Sequence, residues 1–361
     1  MRLTSLDVFR GITIATMILV NFISLSPKPY PSLEHASWNG CQIADLVFPA
    51  FLFIMGAVLP FSLAKYLSGE RQIKQSLYIK ILRRSLILFI LGLVLNGFYQ
   101  YDWANIRLLG VLQRISLTYL LASIIVLKLS IQQIKILSLI ILIFYYLALT
   151  FGGGDLTPTG NLGAYIDRLI IASPHLYRGG DFHSLGDPEG LFSTIPALVT
   201  VLIGYLTGQW LTQQKPTSQT SMNLVLVGLS GLVLGSLTNL AFPINKQLWT
   251  SSYVIYTAGC SLLGLAACYE IIDVRKQTKW GKIWEIMGLN PLFIFIASVL
   301  QIKILVKTQI GAISTYQWLY EQLFLSWLSP ENASLFFALL IVGLWWSVAY
   351  LFYSRGWLVK I

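Results

Sequence analysis

An all-α polytopic transmembrane helix bundle of about ten spans, with both termini cytoplasmic, is the fold this sequence predicts, and three observations predict it. The 361 residues are 56% hydrophobic and only 11% charged, which is more apolar surface than one soluble core could bury. Apolar runs of about twenty residues, the length that crosses about 30 Å of hydrocarbon as a helix, recur along the whole chain. No alternating apolar and polar pattern points to a barrel, and a helix satisfies its own backbone hydrogen bonds in lipid.

The runs lie near 8–24, 43–64, 81–98, 108–127, 134–151, 190–211, 222–242, 251–272, 284–305 and 333–354. The first lacks a small-residue cleavage site and leads straight into further spans, so it reads as the first helix and not as a removable signal peptide. Pro49 and Pro60 in the second span and Asn290-Pro291 in the ninth each remove a backbone donor and predict kinked or broken helices. No internal repeat or linker divides the chain, so residues 1–361 form a single transmembrane domain.

A net charge of +10 would, in a soluble protein, direct attention to nucleic acid; here the placement of the cations accounts for it. With the N-terminus cytoplasmic, the inner segments hold Arg2, Arg10, Lys65, Arg71, Lys74, Lys80, Arg83, Arg84, Lys128, Lys135, Lys215, Arg275, Lys276, Lys279, Lys282, Arg355 and Lys360, seventeen of the 25 basic residues. The outer segments keep Lys28, Arg107, Arg168, Arg178, Lys246, Lys303 and Lys307, and Arg114 stays inside a span. The positive-inside rule therefore sets the orientation, and an even number of helices agrees with it.

Three outer segments are long enough to act: about 24–41, about 151–189 and about 306–332. The last carries the aromatic stretch YQWLYEQLFLSWL, which is expected to lie along the interface as an amphipathic helix. Cys41, Cys260 and Cys268 fall in or beside apolar spans without paired spacing, which argues against a disulfide framework or a structural zinc site. His35, His175 and His183 all lie in outer segments and show no HxxxH or HExxH spacing, so no metal is expected.

Ionisable and polar groups inside a membrane are costly and usually face a protein interior or a wet cavity. They are few here. Asp7 and Arg10 stand at the entry of the first span as a possible i, i+3 ion pair, and Asn21 lies eleven residues further on. Asp45 is just inside the second span, and Gln113 and Arg114 are in the fourth. A buried guanidinium such as Arg114 needs an anionic partner from another helix or from a ligand. His35, in EHASWNG directly before the second span, carries the side chain best suited to accept and return a proton near neutral pH. Asp187 and Glu189 are expected to shape the outer loop and cap the sixth span, where carboxylates favour the helix dipole. Trp38 and Tyr253 are aromatic residues at the expected outer interface, where such side chains usually serve as anchors.

At these residues the sequence resembles the transmembrane heparan-alpha-glucosaminide N-acetyltransferase family, in the form of a bacterial-type relative that starts without a preceding lumenal domain. The segments that carry the resemblance run in order along the whole chain: RLTSLDVFRG, HASWNGCQIADLVFPAFLFIMG, IRLLGVLQRISLTY, AYIDR, DPEGLFSTIPA, FPINKQLWTSSYV and GLNPLFIF. The loop between Asn21 and His35 is a few residues longer than in the family pattern. The resemblance implies a membrane-embedded acyltransferase that moves an acetyl group from cytoplasmic acetyl-CoA, a co-substrate, to the amine of a glucosamine-containing saccharide on the outer or lumenal side. His35 matches the family's active-site histidine, with Asn21 beside it as an orienting or oxyanion donor and Asp45 as a partner for an imidazole or a sugar hydroxyl. Arg10, Asn39, Trp38, Gln113, Arg114, Tyr253 and Asn290 are the expected substrate and CoA contacts, Arg10 with Arg83 and Arg84 screening phosphates and Arg114 lying deeper along the pantetheine path. Direct transfer with His35 as general base and transfer through an acetyl-histidine are both open. The implied partners are the bilayer, acetyl-CoA, an amino-sugar or oligosaccharide acceptor and a second copy in a homodimer, with a bacterial inner membrane as the location. Two other readings compete: O-acylation of an envelope polysaccharide, which would still need His35, and a small-molecule transporter built on Pro-interrupted helices.

Overall fold

The computed structural model describes residues 3–359; Arg2 and Lys360, counted above on the inner side, lie outside them. Its helices are α1 (Thr4–Ile23), α2 (Ile43–Ser62), α3 (Ala64–Leu67), α4 (Gln75–Gly97), α5 (Val111–Lys128), α6 (Ile131–Phe151) and α7 (Leu162–Ile170). They continue as α8 (Leu191–Leu211), α9 (Ser218–Thr238), α10 (Ser251–Tyr269), α11 (Thr278–Leu289), α12 (Pro291–Lys307), α13 (Thr315–Tyr320) and α14 (Pro330–Ser354). The β-structure among the described residues is one short antiparallel hairpin, β1 (Gln309–Ile310) with β2 (Ile313–Ser314). The aromatic stretch expected as a helix is helical over most of its length, α13 continuing into a π-helical turn, Glu321–Leu325, and the hairpin precedes it.

Among the described residues, eight helices are long and apolar enough to cross a membrane, and α11 with α12 makes a ninth if that bent pair is one span. The tenth expected run coincides with α4, which has 23 residues; Lys80, Arg83 and Arg84 make it more polar than the rest. Nine of the ten expected runs thus have one long helix in register with them, and the run 284–305 coincides with the bent pair α11 and α12.

Local sequence explains the boundaries. Ser130 and Gln133 form a capping box at the start of α6, and the Asn161 side chain accepts from Ala164 N at 2.8 Å to start α7, satisfying amides that have no partner inside the helix. The expected break at Asn290-Pro291 is there, a 68° bend between α11 and α12. Pro49 and Pro60 do not break their helix: α2 runs on through both. Proline at position 49 has no N–H for the carbonyl of Asp45 four residues earlier. That carbonyl accepts instead from Tyr253 Oη at 2.6 Å, which ties α2 to α10.

Small residues let the central helices approach. A Cβ on Gly56 would sit 1.9 Å from the carbonyl oxygen of Val201, and one on Gly204 would sit 2.0 Å from that of Phe53, so α2 and α8 touch backbone to backbone. Dispersion and close packing hold helices together in lipid, where there is little hydrophobic drive between them. Leu139, Ile140 and Phe144 on α6, Leu226 and Val233 on α9, and Leu339 and Leu340 on α14 point outward, as a lipid-facing perimeter requires.

The loops expected on the outer side gather at one end. Gly40 N donates to Ile244 O at 2.7 Å, Trp38 Nε1 to Leu156 O at 2.9 Å and Leu108 N to His175 O at 3.0 Å, while Ser26 Oγ and Tyr316 Oη share a 2.8 Å hydrogen bond.

Candidate active site

The site is built at that end around the start of α2. The Asp45 side chain, 1% exposed, accepts from two backbone amides at its own Oδ2, Ala36 N and Gln42 N, both at 3.0 Å. With Gln42 it forms the capping box of α2, so the carboxylate that starts the helix also fastens the loop carrying His35. Its other oxygen, Oδ1, lies 2.7 Å from His35 Nδ1.

Lys246 completes the group. Its Nζ is 3.0 Å from His35 Nδ1 and 3.3 Å from Asp45 Oδ1. The 239–250 loop that carries it is fixed from several sides: Asn245 Nδ2 donates to Asn39 Oδ1 at 3.2 Å, Leu248 N donates to Asn245 Oδ1 at 2.8 Å, and Gly40 holds Ile244 as above. Burial holds the Lys246 ammonium below the usual lysine range, against the opposing pull of Asp45 and Glu189. Next to it, burial and the charge of Asp45 push the Cys41 thiol up to about 12, so it stays protonated near neutral pH and is no nucleophile.

His35 and Lys246 open onto a cavity of about 210 Å³. Met17, Val20 and Asn21 of α1 line it, as do Ala44, Val47, Phe48 and Phe51 of α2, Val111 and Ile115 of α5, and Phe295 of α12; His35, Glu189 and Lys246 close it. The walls are apolar and the polar atoms converge at one end, the arrangement typical of small-molecule sites.

Glu189 is anchored from behind. Arg107 bonds both Asp187 and Glu189, with Nε at 2.8 Å from Asp187 Oδ2 and Nη2 at 2.5 Å from Asp187 Oδ1, while its guanidinium lies 4.4 Å from the ring of Tyr177. Burial alone would raise the Glu189 carboxyl; Arg107 and Arg114 outweigh it and hold it below the usual range. The cap expected from Asp187 and Glu189 on the sixth span is absent. Asp167 supplies it, accepting from Leu191 N at 2.9 Å at the start of α8, because the pair of carboxylates is already engaged by Arg107. Burial pushes the Asp167 carboxyl up to about 7.

The structure brings together His35, Asn21 and Asp45, as the sequence reading grouped them. It adds Lys246, read from sequence only as an outer cation, and Glu189, read as a cap. Asn39 and Tyr253 stand one layer behind: Asn39 accepts from Asn245, and Tyr253 holds the Asp45 carbonyl. Arg114 is also behind the cavity. It donates to Pro188 O at 2.9 Å and bonds Ser193 Oγ, and its guanidinium lies 4.9 Å from the ring of Trp249. The partners it finds are carbonyls and a hydroxyl in and just after the segment that carries Glu189, where an anion from another helix or from a ligand was expected. Gln113 packs against Gly92. Trp38 is tied to Leu156 and lies against Phe182, with ring centres 6.0 Å apart, and does not line the cavity.

Two expected contacts belong to the far end of the bundle. Arg10 pairs with Asp7 at 2.5 Å and donates to Gly288 O at 2.7 Å. Asn290 donates to Trp357 O at 3.0 Å and accepts from Val359 N at 2.8 Å, so its amide holds the C-terminal segment.

A multispan helix bundle with a carboxylate-held imidazole at the mouth of a small apolar cavity places the chain in a class, the polytopic integral membrane proteins. Within that class the chain belongs to the family described as heparan-alpha-glucosaminide N-acetyltransferase, catalytic, whose model matches residues 2–238. It is similar to heparan-alpha-glucosaminide N-acetyltransferase of Homo sapiens and of Mus musculus, 30% identical to each across 82% of this chain. It spans about half the length of these curated relatives, 52% of the human protein and 53% of the mouse one.

Proposed function

We propose that this protein transfers an acetyl group from acetyl-CoA to the amine of a glucosamine-containing saccharide, with His35 as general base. The observation that carries the reading is the 2.7 Å contact between His35 Nδ1 and Asp45 Oδ1 at the edge of a cavity that Asn21 also lines. A carboxylate on Nδ1 keeps the proton there and leaves Nε2 as the acceptor, the arrangement that acyl transfer uses.

The steps follow. A neutral amine attacks the thioester carbonyl, His35 Nε2 takes the proton as the C–N bond forms, and Asp45 stabilises the resulting imidazolium. Negative charge grows on the carbonyl oxygen, for which Asn21 is the candidate donor. Collapse breaks the C–S bond and releases the thiol, with His35 returning the proton to sulfur. A cavity of about 210 Å³ is smaller than the roughly 300–1,000 Å³ of sites that enclose a whole drug-sized ligand. It admits the acetyl group and the reacting edge of one sugar, leaving the rest of the acceptor against the surrounding loops. The end holding His35 is the outer one in the orientation set by the cations, so acetyl-CoA would be drawn from the cytoplasmic side.

Purified protein given labelled acetyl-CoA and glucosamine should form labelled N-acetylglucosamine, and a folded His35→Ala variant should lose about 10²–10⁴ of the rate. Equal rates in the two proteins would rule out His35 as the base. Loss of label to water alone, still dependent on His35, would keep the donor and reject the acceptor.

A further inference from the structure

His35 Nδ1 has two neighbours that make opposite demands on it. Asp45 Oδ1, 2.7 Å away, accepts a proton; Lys246 Nζ, 3.0 Å away, donates one. A ring nitrogen carries either a proton or a lone pair, so it serves one neighbour at a time. With the proton on Nδ1, His35 donates to Asp45, Lys246 turns to the same Oδ1 at 3.3 Å, and Nε2 is a free base. With the lone pair on Nδ1, Lys246 donates to the ring, the proton sits on Nε2, and His35 offers the cavity a donor.

We propose that Lys246 and Asp45 compete for His35 Nδ1 and that Lys246 is a positioning residue that sets how much of His35 is poised as a base. The proposal rests on the reading of His35 as general base. The carboxylate has an advantage because its Oδ2 is fixed by Ala36 N and Gln42 N and cannot swing away. Lys246 limits that advantage. The remaining charged group at the cavity is Glu189 before α8, and Cys41 stays a neutral thiol; α1, α5 and α12 face the cavity with Asn21 and apolar side chains. The competition is therefore local to three side chains brought together from α2 and two loops, with Lys246 211 residues from His35 in sequence. Burial, which lowers the pKa of Lys246, adds a setting: as the ammonium loses its proton, its hold on Nδ1 weakens and the base-ready tautomer gains.

The three histidines of the chain make the test direct. ¹⁵N-histidine spectra of the detergent-solubilised full chain, assigned with His35→Ala, report the proton position on each ring. Lys246→Met should raise the Nδ1–H to Nε2–H ratio of His35 about tenfold or more, the scale of one charge-assisted hydrogen bond. It should also move the acid limb of kcat/KM to higher pH, since a neighbouring cation is gone. Asp45→Asn should move the ratio the other way and lower kcat by about 10²–10⁴ with a smaller change in KM. Lys246→Arg, which keeps a charged donor, should return the ratio toward wild type, and Lys246→Gln provides a second neutral variant if Met folds poorly. An unchanged ratio and limb in both neutral variants would overturn the proposal. Full activity of His35→Ala would overturn the general-base reading instead, while the spectra of Lys246→Met would still answer for the competition.

Discussion

Asp167 is buried at the start of α8 and accepts hydrogen bonds from Leu191 N and Phe192 N. Those bonds favour the carboxylate, yet burial outweighs them and pushes the group up to about 7 from an ordinary 3.8. A carboxyl whose folded pKa is raised adds stability below its unfolded pKa, and that contribution fades as pH climbs through the folded value. The window is therefore about pH 4 to 7, and the loss amounts to about 4 kcal/mol at the upper end. Asp167→Asn keeps an acceptor for the cap and cannot ionise. Thermal unfolding in detergent should find the variant close to wild type at pH 4 and more stable at pH 8; a variant less stable than wild type at pH 8 would mean the ionised cap outweighs its burial. The same scale shows what single residues disclose in a sequence. His35 and Asp45 are legible because each is a costly group beside an apolar run. Lys246 is not, because a lysine in an outer loop is what any membrane protein carries, and only the fold of the 239–250 loop turns it inward.

At the scale of elements, Pro49 and Tyr253 form a pair. The proline deprives Asp45 of its helical N–H partner, and the tyrosine hydroxyl supplies a donor from α10 at 2.6 Å. Tyr253→Phe should leave that buried carbonyl without a partner at a cost of about 1–3 kcal/mol, and loosen the residue that holds His35. Adding Pro49→Ala provides an N–H within α2, so the double variant should recover much of the loss. Additive unfolding free energies in this double-mutant cycle would show the two positions to be independent. The sequence predicts a disturbance at both helical prolines of α2, but not that at Pro49 a partner helix would take up the freed carbonyl, since that depends on which span lies alongside. The break at Asn290 is legible for the opposite reason: there Pro291 begins a new helix, and Asn290 spends its amide on the segment at Trp357 and Val359.

At the scale of the whole molecule, the runs are legible because length and apolarity mark most of the long helices, and the segments expected on the outer side come together at one end. Which loops touch is a property of packing, such as the backbone contacts of α2 with α8 and the glycines that permit them. The two sides of the molecule then have different expected tasks, a cation-rich end toward the donor and the His35 end toward the acceptor. The measurement that tests this most directly is acetyl transfer across proteoliposomes of one orientation, with labelled acetyl-CoA supplied only at the cation-rich end and glucosamine only at the other. The account predicts labelled N-acetylglucosamine in the glucosamine compartment, and none with His35→Ala. Product formed equally by His35→Ala, or label that stays with acetyl-CoA in the wild-type vesicles, would contradict it.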